Sequence, residues 1–356
     1  MSSPLQNQPA PLLRQALPYL LLVGIGALLY FLAPEQLPLF SRIAIMAIFV
    51  MSLDLVVGYA GLATLGHAAL FGTGAYAAGL AALHLAPDPL LGLAIGAAAG
   101  ACVALISGLF ILRYDGLTFL MLSIAVSQIL GNLASKLRNW TGGDDGLTGY
   151  ASSAVLGLAR FDLYGKTAFL YSGITMLLCL FAMRRLMGSP FGLACVGIHQ
   201  NRLRMAAIGT DIRGQLLKLY VLAAFFAGIA GALSAQTNQI VGLDSLGFEL
   251  SAEALVMLVL GGAGTLYGAI AGAALFMLIH HIASTLNPYH WLFIIGGLLV
   301  FVVLVPRDRW LAQIGKRLSP LLGSPRPRTP DSAAPVRPAK AAGEPATPGA
   351  KEPLRS

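Results

Sequence analysis

The chain has 356 residues, of which 57% are hydrophobic and only 11% charged, and its mean hydropathy is +0.76. A water-soluble domain carries roughly 25% charged residues, so this composition excludes an ordinary soluble globular protein and makes lipid the main solvent. The net charge of +8 does not signal nucleic acid, because most charges sit in loops and a tail that flank apolar runs. Cys102, Cys179 and Cys195 form no CxxC pair and read as small membrane or buried residues, not metal ligands or disulfide partners.

Residues 1–15 are polar and read as a cytoplasmic N-terminal segment. Apolar stretches follow at 18–33, 40–57, 62–83, 89–112, 117–134, 167–183, 216–240, 251–263, 266–283 and 289–305. A full crossing needs roughly 20 apolar residues. The pattern predicts an all-α polytopic helix bundle over 16–306 with about ten crossings, some short or broken. No small-residue cleavage site follows the first stretch, which reads as a retained helix. Region 251–283 reads either as one tilted helix or as two elements broken at Gly261-Gly262-Ala263-Gly264.

Basic residues orient the bundle. With the N-terminus inside, the inner segments hold Arg14, Arg113, Arg184, Arg185, Arg202, Arg204, Arg213 and Lys218, then Arg307, Arg309, Lys316 and Arg317. The outer segments hold fewer: Arg42, Lys136, Arg138, Arg160 and Lys166. This bias predicts both termini in the cytoplasm, a periplasmic loop near 135–165 and a long cytoplasmic loop near 188–216. The tail at 318–356 is Pro, Ala and Ser with scattered charge, too poor in large apolar groups to offset its ordering entropy, and is expected to be disordered.

Two glycine-rich stretches interrupt apolar runs. The first is Gly58-Tyr59-Ala60-Gly61-Leu62-Ala63-Thr64-Leu65-Gly66-His67, and the second runs from Gly261 through Gly264 to Gly268. Such density serves either unwound backbone beside a translocation path or close helix packing alone. Broken segments in two halves of a chain point to a transporter core. His67 reads as a pathway group or, equally, as a hydrogen-bonded structural histidine. Gly92, Gly96 and Gly100 recur every fourth residue and form a groove for a neighbouring helix.

Ionisable residues within apolar runs are few. Asp54 and Glu253 are expected to face the bundle interior, accepting hydrogen bonds from helix ends or opened backbone, or touching a pathway. Ser127 and Gln128 either line a polar path or join helices, and Gly61, Thr64 and Gly264 are further path candidates. In the long inner loop, Asn201 is placed to cap a helix over 202–208 and Gly209 to end it. Its apolar groups beside Arg202 and Arg204 suit docking to a partner better than lipid binding alone. The Gly165-Lys166-Thr167 triplet is not a phosphate loop, because Arg160 occupies the first glycine position, and no HExxH or GxSxG pattern occurs. No metal or cofactor is implied.

The stretches at 53–61 and 65–76, the Thr141-Gly142-Gly143-Asp144-Asp145-Gly146-Leu147-Thr148-Gly149 segment, and the Gly188-Ser189-Pro190-Phe191-Gly192 loop with Ala206-Ala207-Ile208-Gly209 carry a resemblance. In this order and spacing the chain resembles the branched-chain amino-acid permeases of bacterial ATP-binding-cassette importers, the LivM-like membrane subunits, over roughly 40–306. It departs from them at Leu62 and Thr64, where Gln and Ser are common, and at Arg204-Met205, which replace an acidic residue before Ala206-Ala207. The resemblance implies a non-catalytic inner-membrane subunit, a homologous permease partner, two cytoplasmic ATP-binding subunits and a periplasmic solute-binding protein. It also implies a coupling helix at 197–209, with Asn201, Arg202, Arg204, Ala206, Ala207, Ile208 and Gly209 in ATPase coupling. Related permeases carry urea, other amino acids or aromatic acids. An ion-driven secondary transporter is the rival class, and it would need a relay of intramembrane charges that the sequence does not display.

Overall fold

The computed structural model describes residues 12–32, 34–150, 165–286, 296–297 and 300. Its helices are α1 (Leu12–Leu32), α2 (Leu37–Asp54), α3 (His67–His84), α4 (Pro89–Ile111), α5 (Leu117–Lys136), α6 (Arg138–Thr141), α7 (Lys166–Met187), α8 (Pro190–Gln200), α9 (Arg202–Ala207), α10 (Ile212–Asn238), α11 (Phe248–Gly261) and α12 (Leu266–Leu286). Proline opens α4 and α8, where its missing N–H has no intrahelical partner to lose. Among the described residues there is no strand, only an antiparallel bridge between Leu147 and Val241.

Six helices among the described residues are long and apolar enough to cross a membrane: Pro34–Tyr59, Pro89–Ile111, Leu117–Lys136, Lys166–Met187, Ile212–Asn238 and Leu266–Thr285. Each of the first nine apolar stretches contains a helix. The 14 residues of α11 reach only about 21 Å, less than the roughly 30 Å hydrocarbon core. The last stretch, at 289–305, falls mostly outside the described residues, and the N-terminal residues 1–11 and the tail at 318–356 lie outside them.

Two boundaries differ from the sequence reading, and one open alternative is resolved. The 62–83 stretch is helical only from His67, because α2 ends in a π turn at Leu55–Tyr59 and the backbone through 60–66 is irregular. The 251–283 region is two helices. A side chain at Gly261 would strike the carbonyl of Gly268, and one at Gly272 would strike that of Met257. The paired numbers run in opposite directions, so α11 and α12 form a tight antiparallel hairpin. The 188–216 loop is also largely helical, with α8 and α9 in it and α10 starting at Ile212, so Arg213 and Lys218 lie on α10.

α2 is the central helix, and Ala47, Ile48, Phe49, Val50 and Met51 are wholly buried. Helices α7, α10, α11 and α12 pack around it, and α3, α4 and α10 pack on one another through small residues. A Cβ at Gly74 would lie 2.5 Å from Cα of Gly228, and one at Gly96 would lie 2.8 Å from Cβ of Ala232. The α4 glycine stripe therefore seats α10, the close approach that membrane helices gain from small residues. The Thr141–Gly149 segment is a compact cap after α5: Thr141 Oγ1 donates to Ala134 O at 2.6 Å, and Gly142, Gly143, Gly146 and Gly149 all have positive φ.

Candidate functional site: two glycine breaks and a short capped helix

The two glycine breaks meet. Asp54, at the end of α2 and wholly buried, accepts a hydrogen bond at Oδ1 from the Gly264 amide at 2.6 Å. Gly264 (φ +83°) lies in the turn between α11 and α12. A side chain at Gly58 would collide with Asp54 Oδ1 and the Gly264 amide, so the π turn presses directly on the α11–α12 turn. Oδ2 of Asp54 has no hydrogen-bond partner among the described residues.

Opened backbone at membrane depth must find other partners, and here the break and the first turn of α3 find side chains from two other helices and from the break itself. Leu65 N donates to Ser123 Oγ of α5 at 3.2 Å, Ala68 N to Ser251 Oγ of α11 at 2.9 Å, and Gly66 N to Thr64 Oγ1 at 3.3 Å. His67 is wholly buried and stacks on Phe49 with ring centroids 5.5 Å apart. Ser52 donates its proton to Phe49 O at 2.6 Å, so His67 Nε2 is the donor in the 2.9 Å contact with Ser52 Oγ. That network places the ring proton on Nε2 and gives His67 a structural hydrogen bond to α2.

Asp54, Gly61, Thr64, His67 and Gly264 thus belong to one joint where α2, α3 and the α11–α12 turn converge. Ser127 and Gln128 do not join it. Ser127 is buried and donates to Leu246 O at 2.7 Å, tying α5 to the segment before α11, whereas Gln128 is exposed on the other side of α5. Glu253 is partly buried on α11, within charge-interaction range of Arg42 and Glu249.

The short helix α9 forms as its capping residues dictate. Asn201 Oδ1 accepts from Arg204 N at 2.9 Å, which satisfies one orphan amide of the first turn. Gly209 (φ +90°) closes the other end, its N–H donating to Ala206 O at 2.9 Å. Arg202 pairs with Asp115 of the loop between α4 and α5. Met205 faces α8, its Sδ 2.8 Å from where a Cβ at Gly197 would stand. Arg204, Ala206, Ala207 and Gly209 are exposed, and Leu203 and Ile208 are 85% and 72% exposed, so α9 offers an apolar outer face.

Sequence reasoning missed the contact that connects the two parts. The imidazole of His199, at the end of α8, occupies the space a side chain would need at Gly61 (φ +70°). The order of contact is therefore α9 on α8 through Met205, α8 on the first break through His199, and the first break on the second through Gly58 and Asp54. Burial in this region also raises the Cys195 thiol pKa on α8 and keeps it protonated. Proline at the start of α8 was a readable signal for that helix; the pairing of residues 61 and 199 had none.

Residues 37–303 match the family described as branched-chain amino acid transport system / permease component. The chain is 26% identical over 275 residues to the high-affinity branched-chain amino acid transport system permease protein LivM of Escherichia coli (strain K12), covering 71% of this chain and 64% of that protein. It is 27% identical over 280 residues to the Salmonella typhimurium protein of the same name, with the same coverage. A galactose/methyl galactoside import permease protein, MglC of Salmonella typhimurium, is 26% identical over 223 residues, 58% of this chain and 63% of its own. The chain thus spans slightly less than two thirds of the length of these relatives. No solved structure matches. With the match spanning most of the described helices, the chain belongs to the branched-chain amino acid transport permease component family.

Proposed function

We propose that the chain is the membrane-spanning permease subunit of an ATP-binding-cassette importer in the bacterial inner membrane, with about ten crossings and both termini cytoplasmic. It forms an alternating-access path with a homologous permease, receives solute from a periplasmic binding protein and is driven by two cytoplasmic ATP-binding subunits. The observation that carries this reading is the capped helix α9, apolar on its outer face and seated through α8 against the first glycine break. A helix that only filled a loop would not need Leu203 and Ile208 turned outward. Docked on an ATPase, α9 moves α8, and His199 passes that motion to Gly61 and the joint of Asp54 and Gly264. The break supplies hinge residues, and the side chains of Thr64, His67, Ser123 and Ser251 hold the opened backbone in one of its arrangements. Gln128, exposed on α5, and Glu253, partly buried on α11, face the path or the partner permease, since lipid contact is costly for either.

The proposed solutes are leucine, isoleucine and valine, after the two relatives named for branched-chain amino acids. Urea, other amino acids and aromatic acids are the alternatives within the family, and galactoside is the one raised by the third relative. Proteoliposomes holding the full importer and loaded with ATP test this. Labelled leucine, isoleucine and valine accumulate and compete with one another, while galactose and urea do not. Accumulation that continues without ATP and collapses with an uncoupler would assign the chain to ion-driven transport instead.

A further inference from the structure

Between the second half of α4 and the middle of α5 lies an open groove of about 560 Å³. Its walls include Ile106, Phe110, Leu122, Val126 and Ile129, with Arg113 and Tyr114 at one end. Phe110 and Ile129 are 66% and 64% exposed, so the groove opens away from the bundle core. From residue 103 to residue 113 the lining runs about 15 Å along the chain, half of the roughly 30 Å hydrocarbon thickness.

We propose that this groove is a phospholipid site, one acyl chain lying between α4 and α5 and an anionic headgroup phosphate resting on Arg113. The groove is one leaflet deep, its walls are apolar apart from Ser107, whose hydroxyl is spent on Val103 O, and its only cationic lining group stands at the end where a phosphate would lie. Arg113 is exposed, and no ion pair to it occurs among the described residues; the nearby carboxylate, Asp115, is paired with Arg202. Guanidinium presents several donors to phosphate oxygens, and Tyr114 places a phenol at the same level, as aromatic residues do at membrane interfaces. A partner helix is a poorer occupant. Membrane helices approach through small residues, and the small-residue stripe of α4 is already used against α10. The branched and aromatic groups that remain leave a channel that a flexible acyl chain fills and a helix backbone does not. This site is independent of the transport reading and stands or falls without it.

Tryptophan quenching tests the site in the full-length chain with Trp140, Trp291 and Trp310 replaced by Phe. Ile129→Trp places one reporter in the groove, and Phe110→Trp is a second reporter should the first not fold. Nanodiscs contain phosphatidylglycerol or phosphatidylcholine with brominated acyl chains at equal mole fraction. Phosphatidylglycerol is expected to occupy the groove about fivefold more favourably, the worth of one basic side chain against an anionic lipid. Arg113→Gln should abolish that preference and Arg113→Lys should keep most of it. Equal quenching by both lipids, or a preference that survives Arg113→Gln, would overturn the site. Weak quenching by both lipids would show the groove covered by protein and would equally overturn it.

Discussion

The carboxylate of Asp54 and the backbone amide of Gly264, 210 residues apart in sequence, are joined by a 2.6 Å hydrogen bond. The bond ties the end of α2 to the α11–α12 turn and makes one joint out of two glycine breaks. Asp54→Ala leaves a partly buried amide without an acceptor and should destabilise the permease by about 1–3 kcal/mol. Asp54→Asn retains an acceptor and should lose much less. Thermal unfolding of both variants in detergent checks the order. An Asp54→Ala midpoint equal to that of the unaltered chain would mean the bond does not hold the joint.

Gly61 and Gly264 separate backbone strain from collision. Both have positive φ, which costs an L-residue about 1–2 kcal/mol, but an added Cβ meets His199 at Gly61 and nothing closer than 3.9 Å at Gly264. Gly61→Ala is therefore expected to be the more damaging of the two in both uptake and stability. His199→Ala should relieve the collision but not the strain, giving a clear interaction term in a double-mutant cycle. Additive effects of Gly61→Ala and His199→Ala would contradict the contact.

Ser127 and Gln128 are neighbours in sequence with opposite surroundings. Ser127→Ala removes the bond to Leu246 O and should lower thermal stability by about 1 kcal/mol. Gln128→Leu, at an exposed position, should leave stability unchanged and reduce uptake. A stability loss confined to Gln128→Leu would reverse the assignment.

Orientation is checked by cysteine labelling in a background without Cys102, Cys179 and Cys195. Asp145→Cys, exposed in the cap after α6, should react with an impermeant reagent from outside intact cells. Ser332→Cys should react only after permeabilisation. Labelling of Ser332→Cys in intact cells would place the tail outside.

What was legible in the sequence is what local chemistry dictates. Asn201 and Gly209 announce the ends of α9 because capping uses neighbouring residues, and the apolar runs announce the long helices because lipid demands them. The lost boundary at 62–66 shows the limit of hydropathy: Leu62 and Leu65 are as apolar as a helix, but Ser123 stabilises the open backbone there and Ser251 the first turn of α3 that follows it, and both come from distant helices. α8 escaped notice because Gly192 and Gly197 weaken its helical pattern. Those glycines are present for contacts, with the Met187 backbone and with Met205, that the sequence does not display. Asp54 was foreseeable as an acceptor for opened backbone, but Gly264 as its donor was not. The Arg202–Asp115 pair was likewise hidden, and being partly exposed it should contribute less than about 1 kcal/mol.

The central claim is that α9 connects an ATPase to the glycine joint, and Ala207→Asp tests it most directly. Ala207 is exposed on α9, so the substitution leaves the bundle intact but buries an unpaired carboxylate once a partner docks, at a cost of several kcal/mol (about 3–5 for a lone buried charge). The measurement is ATPase retained on affinity purification of the permease, with ATP-driven uptake read in the same preparation. The account predicts normal membrane insertion and normal assembly with the homologous permease, loss of the ATPase subunits and loss of uptake. A variant that keeps its ATPase bound and still couples hydrolysis to uptake would contradict the account.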